Sequence, residues 1–150
     1  MTGPSAAVVA AWQAALSAEQ QAVFGYALLG PILAAKDRGR AETATGDHEA
    51  TRDATSAALL AAGHSPVPPA ADYPALYPVP DAAAARRLAV RLEDSCAAAW
   101  RYLYERAAAA PAGNALRGVA QDALTASAVR AAQWRALIDP SRATTPFPGI

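Results

Sequence analysis

The placement of proline restricts this chain more than any other feature. Six of its twelve prolines fall in the seventeen residues from His64 to Pro80, and the stretches on either side hold few. Proline has no N–H and a locked φ, so it does not sit inside a helix. His64–Pro80 is therefore an extended strap of polyproline character. The flanking stretches are dominated by alanine, 44 of 150 residues and the best helix former. Gly3-Pro4-Ser5 opens a first helix, expected to run to about Asp37 with a kink at Pro31. Asp37-Arg38-Gly39-Arg40 reads as a polar turn. A second helix is predicted from about Arg40 to Ala62, stopped by Gly63 and Pro66. A third runs from Ala82 to about Ala109 with Asp81 as its N-cap. Pro111 and Gly113 mark a turn, and a fourth helix spans about Asn114 to Ile138, ended by Pro140. In the irregular tail, residues 139–150, the ring in Pro146-Phe147-Pro148-Gly149 is expected to dock on the bundle. Strand-like alternation is missing throughout.

Four helices joined by short, long and short connections give an all-α four-helix bundle with one long crossover between helices 2 and 3. That is the ferritin-like arrangement. At 150 residues the chain is expected to be a single domain, with the strap running the length of the bundle. Apolar positions recur at three- and four-residue spacing. Val8, Trp12, Ala15, Glu19, Val23, Tyr26, Gly30 and Leu33 mark one face of the first helix, and Ala41, Ala44, His48, Arg52, Thr55 and Leu59 one face of the second. The third helix is expected to present Leu88, Leu92, Ser95, Ala99 and Tyr102, and the fourth Leu116, Ala120, Ala123, Ser127, Ala131, Trp134 and Ile138.

Thirteen basic and thirteen acidic residues cancel, which argues against a nucleic-acid partner and against a polybasic membrane-surface module. Neither apolar run near the N-terminus makes a good spanning helix or signal peptide, so no membrane insertion and a cytoplasmic protein are expected; a removed signal segment would instead make it exported. Cys96 is the sole cysteine, which excludes an intrachain disulfide, and with Glu93 and Asp94 beside it a small buried thiol is expected in place of a nucleophile. The exposed faces of the first two helices read as poor in charge, which points to self-association as a homodimer.

The chemistry-bearing residues are the polar ones in phase with apolar stripes. Glu19 and His48 lie on such stripes, and Glu93 and Asp94 flank Leu92. A carboxylate in a core needs an ion-pair partner or a metal. Candidate partners are guanidinium groups of Arg52, Arg91 or Arg130, giving a polar network or ligand pocket of Glu19, His48, Arg52, Arg91, Glu93, Asp94 and Arg130. The metal alternative is iron or manganese at Glu19, His48 and Glu93. A di-metal bundle site needs a Glu from each of two helices and a Glu-x-x-His from each of the other two. Here Thr45 stands three residues before His48, and the fourth helix has no histidine and only Asp122 and Asp139 as carboxylates. With half of that ligand set missing, a non-catalytic structural or interaction bundle without cofactor is the expected reading, with divergent metal-dependent oxidase or storage chemistry as its alternative. A small-ligand pocket, with arginine holding an acid group, is a third. Arg130 and Trp134, four residues apart, have cation–π spacing, while Trp100, Tyr102 and Tyr104 read as core packing. Motifs for serine hydrolases, phosphate loops and zinc are missing.

Several stretches together resemble a bacterial ferritin-like domain family of unknown function. They are Leu16-Ser-Ala-Glu19-Gln-Gln-Ala-Val-Phe-Gly25-Tyr26, His48-Glu-Ala-Thr-Arg52-Asp53, Leu88-Ala-Val-Arg91-Leu-Glu93-Asp94, Ala128-Val-Arg130-Ala-Ala-Gln-Trp134 and the closing Pro146-Phe147-Pro148-Gly149. They touch all four helices. The resemblance implies the bundle fold and little more, since fold analogy assigns no chemistry. Gln20 stands where that pattern often has histidine, which removes one possible ligand.

Overall fold

The computed structural model describes residues 3–109 and 114–150. It is a bundle of four long helices, α1 (Ala6–Leu29), α2 (Ala35–Ala61), α3 (Ala82–Ala108) and α4 (Asn114–Ile138), with short 3₁₀ turns at Gly30–Ile32, Pro74–Leu76 and Pro140–Arg142. The turn assigned to Pro111 and Gly113 lies outside the described residues. Three local signals act as their chemistry requires. The Ser5 hydroxyl and the Asp81 carboxylate cap α1 and α3 by accepting from the N–H groups of Val8 and Ala84. Gly63, at φ +82°, closes α2: its N–H donates to Leu60 O while His64 N–H donates to Leu59 O.

The α1–α2 boundary lies earlier than the polar residues suggest. Pro31 breaks the hydrogen-bonding ladder, α1 stops at Leu29, and Leu33 is already extended. Asp37-Arg38-Gly39-Arg40 is consequently not a turn but the start of α2. Asp37 sits in the favourable first turn of that helix and is buried against Arg86 of α3, 2.9 Å from its Nε.

α3 packs along both α1 and α4, whereas α2 packs closely along α1 and reaches α3 and α4 mainly through polar side chains. The core divides into two apolar clusters. One holds Trp12, Leu16, Leu59, Trp100 and Leu103, and the other Tyr26, Leu33, Leu88, Leu92 and Trp134. On α3 the buried stripe is Leu88, Leu92, Cys96, Trp100 and Leu103, while Ser95 and Tyr102 face outward. The expected stripe drifted one step because alanines on several faces leave its phase poorly marked.

The strap runs beside α1 and is pinned there by two glutamines. Gln13 donates to Ser65 O and accepts from Val67 N–H, both at 2.8 Å, and Gln20 donates to Val67 O at 2.8 Å. Gln20 thus serves the strap. In the tail, Phe147 does not dock: its side chain is 69% exposed. Contact is made by Gly149, whose backbone lies so close to α3 that an added Cβ would sit 2.8 Å from Ala97 O. The outer face of α2 is also more charged than expected, with Arg38, Glu42, Asp47, Glu49 and Asp53 all exposed. Among the described residues no helix is long and apolar enough to cross a membrane.

Candidate functional site

Between the two apolar clusters lies a polar layer to which all four helices contribute. Its centre is His48, which α2 inserts with no exposed surface. The imidazole bridges two carboxylates: Nδ1 lies 2.6 Å from Glu19 Oε2 on α1, and Nε2 lies 3.1 Å from Glu93 Oε1 on α3. Both ring nitrogens face carboxylate oxygens, an arrangement that favours the doubly protonated imidazolium. Burial opposes that charge, but the hydrogen bonds to Glu19 and Glu93 outweigh it and raise the His48 pKa to about 9.

The carboxylates have their own donors. Trp100 Nε1 donates to Glu19 Oε1 at 2.6 Å. Glu93 Oε1 accepts from Tyr26 OH at 2.6 Å and from Arg130 Nε at 3.0 Å, in addition to His48. Tyr26 OH in turn accepts from Trp134 Nε1 at 2.8 Å, and its ring stacks on His48 with centroids 5.6 Å apart. A hydrogen-bonded chain therefore crosses the bundle from Trp134 through Tyr26, Glu93, His48 and Glu19 to Trp100. Burial and the adjacent Glu93 charge push the Tyr26 hydroxyl above the ordinary tyrosine range, so it remains a donor. Burial would raise the Glu93 carboxyl, but His48 and Arg130 hold it below its ordinary value. Arg130 is itself raised: the Glu93 charge and hydrogen bond outweigh its burial. Two carboxylates thus face one imidazolium and one guanidinium. Glu93 Oε2 alone is left buried without a donor in the layer.

Cys96 closes the Glu19 side. Its thiol is fully buried and donates weakly to Ala18 O at 3.5 Å. Burial and the two carboxylates push its pKa well up. Glu19, His48 and Cys96 each offer a ligand atom within 4.8 Å of the others.

Of the polar residues singled out in the sequence, Glu19, His48, Glu93 and Arg130 come together here. Arg52 pairs instead with its neighbour Asp53 at 2.8 Å near the surface. Arg91 is exposed, and Asp94 turns outward to Arg135. The phase decides this: Glu93 falls on the buried stripe of α3, with Arg91 and Asp94 off it. Trp134 carries a guanidinium over its ring, but that of Arg40 at 5.9 Å in place of Arg130. From the sequence, Tyr26 and Trp100 read as packing residues and Trp134 as a cation–π partner of Arg130; the structure gives all three a hydrogen bond in the layer. Tyr26 follows Glu19 by seven residues, two helical turns, which is the signal that both face one layer.

A family described as Domain of unknown function (DUF4439) matches residues 11–150. The chain belongs to that family. Among solved structures it is similar to the crystal structure of a conserved hypothetical protein, rv2844, from Mycobacterium tuberculosis, with 33% sequence identity and a TM-score of 0.81. That similarity covers 89% of this chain and 98% of the other. Among curated proteins none matches. The fold is thus an all-α four-helix bundle of ferritin-like architecture, in a family whose activity has not been assigned.

Proposed function

We propose that this ferritin-like bundle binds one divalent transition-metal ion, in exchange for protons, at Glu19, His48 and Cys96. The observation that carries the reading is the convergence of a carboxylate, an imidazole and a thiol, all buried, within 4.8 Å. A mixed O, N and S donor set suits iron or zinc better than manganese, which prefers oxygen ligands. A dinuclear centre does not fit. α4 faces the layer with Ser127, Arg130 and Trp134, while Asp122 is exposed and Asp139 caps the turn at Ser141. Nor does one ion on a single ring nitrogen of His48 reach both Glu19 and Glu93, because they occupy opposite edges of the imidazole.

His48 and Cys96 both hold their protons strongly, so binding an ion releases protons and tightens as pH rises. Proton and metal then compete for one position, and the imidazolium is what occupies it at low pH. A second reading rests on the charge pattern. His48 and Arg130 balance Glu19 and Glu93 with no ion, which suits a purely structural network that fixes helix register. Anaerobic titration of the purified protein with Fe²⁺, Zn²⁺ and Mn²⁺ at two pH values, with metal content and released protons measured together, separates the two. Near-stoichiometric Fe²⁺ or Zn²⁺ with proton release, lost in Cys96→Ala and His48→Gln, supports the metal reading. Absence of binding in the folded wild-type protein at the higher pH overturns it and leaves the structural network.

A further inference from the structure

The side of the bundle between α2 and α4 is open. The helices run antiparallel there, and the space between them forms two clefts that share Ala126 as a wall. The first, about 650 Å³, lies between Lys36–Asp47 of α2 and Ala126–Trp134 of α4. The second, about 530 Å³, continues between Ala50–Ala58 and Leu116–Ala126, with Trp12 of α1 also lining it. Both volumes fall in the range of small-molecule sites. From Arg40 to Ala58 the groove is roughly 27 Å long at 1.5 Å per residue.

Its two ends differ in chemistry. The first cleft carries Lys36, Arg40 and Arg130 against Asp47. Arg130 is also the partner of buried Glu93, so one positive charge is left over at this end. Arg130 holds Asp47 only loosely, at 3.5 Å. The second cleft is mostly apolar. Its α2 wall consists of small side chains, Ala50, Ala54 and Ala58 with Thr51 and Thr55, and Leu116 and half-exposed Val119 face it from α4. Asp122, on the rim of the apolar half, disfavours an anion at that end.

We infer that the α2–α4 groove binds a long-chain carboxylic acid, with the carboxylate at Lys36, Arg40 and Arg130 and the chain laid over Ala54, Ala58 and Val119. A single surplus charge matches a carboxylate monoanion better than a phosphate dianion, and a guanidinium presents the paired donors a carboxylate accepts. A continuous small-residue trough with one basic end has the shape and charge of that ligand along its whole length. The site lies on the solvent side of Arg130, apart from Glu19, His48 and Cys96, and stands without the metal reading.

The experiment uses the full chain, with oleate as probe and the fluorescence of Trp12 and Trp134, which line the two clefts, as readout. Oleate is expected to bind saturably, and acetate and oleyl alcohol at least tenfold more weakly, since each lacks one half of the ligand. Ala54→Phe, at an exposed α2 position, fills the apolar half. It is expected to weaken oleate at least tenfold with an unchanged circular-dichroism melt. Lys36→Gln with Arg40→Gln is expected to erase the preference for oleate over oleyl alcohol. Failure of oleate to bind overturns the inference. So does binding that Ala54→Phe leaves unaltered, since the acid would then sit elsewhere, and so does equal binding of oleate and its alcohol to the wild type.

Discussion

α3 and α2 are equally long helices held in opposite ways. α3 has neighbours on two sides and buries Leu88, Leu92, Trp100 and Leu103 between them. α2 has α1 on one side and the open groove on the other, and Leu59 is its one large buried aliphatic residue. The rest of its buried face is small or polar: Asp37, Ala41, Ala44, His48 and Thr55. Apolar packing is thus the main force on α3, whereas α2 depends on His48 between two carboxylates, on Asp37 with Arg86, and on Leu59 near its end. A helix held by ionic pairs at a few points leaves room beside it, and the groove occupies that room.

The largest effect expected from that contrast comes from removing the shared anion. Glu93→Ala strips Arg130 of its buried partner and Tyr26 of its acceptor, and leaves the His48 imidazolium with Glu19 alone. A loss of about 3–5 kcal/mol is expected. Glu93→Gln keeps the shape and is expected to lose less while lowering the His48 pKa. Urea unfolding of both variants, with the imidazole titration followed by NMR, checks this. Equal stability of Glu93→Ala and wild type would show that α2 is held by packing after all.

The apolar comparison comes next. Leu88→Ala and Leu59→Ala each open a cavity and are expected to cost about 2–5 kcal/mol, Leu88 towards the upper end because α1 and α4 both flank its helix. Hydrogen exchange distinguishes them further. Leu59→Ala should release amides of α2 ahead of the rest, whereas Leu88→Ala should lower protection across the bundle. Release of α2 and α3 together in Leu59→Ala would merge the two helices into one cooperative unit.

These expectations rest on features of which only some were legible beforehand. Breakers and caps are local, so the four helices, the strap and the roles of Asp81 and Gly63 followed from residue chemistry alone. Glu19 and His48 were legible because each interrupts an apolar stripe, and Glu93 because it stands beside one at Leu92; a charge so placed demands a partner. Choosing Arg130 over Arg52 and Arg91 was not, since a long flexible guanidinium on any of three helices satisfies the same demand. The phase of α3 was obscured for a different reason: with alanine on several faces, the stripe through Tyr102 looks as apolar as the one through Trp100 and Leu103. The groove was least legible of all, because an unfilled side of a bundle is a property of the packing of α2 and α4, which no single segment encodes.

pH tests the ionic side of the contrast without mutation. The His48 pKa is raised from 6.5 to about 9 in the folded protein. Its stabilising contribution is therefore complete below pH 6.5 and lost as pH rises through about 9. Glu93 is shifted the other way, below its ordinary 4.5, so its contribution is present above that pH and lost as pH falls through the folded value. Thermal melts should show a plateau on the mildly acidic side of neutrality with a decline towards alkali, and the alkaline decline should vanish in His48→Gln. A melting temperature flat from neutral pH to above 9 would contradict the imidazolium at the centre of the layer.

Two glycines give the smallest and most local test. Gly25 on α1 faces α3, and a Cβ there would lie 2.5 Å from a Leu92 methyl and 3.2 Å from its Cγ. Leu92 is buried in the core and has little space to yield, so Gly25→Ala is expected to cost about 1–3 kcal/mol despite its gain in helix propensity. Gly46, in the middle of α2, has nothing within 4 Å of the same added atom. There the propensity term acts alone, and Gly46→Ala is expected to stabilise the protein by about 0.5–1 kcal/mol. One substitution at two helical positions should thus change sign between the packed side of the bundle and its free side. If Gly46→Ala destabilises instead, something covers that face of α2 in solution, and self-association through it becomes the explanation to test by sedimentation.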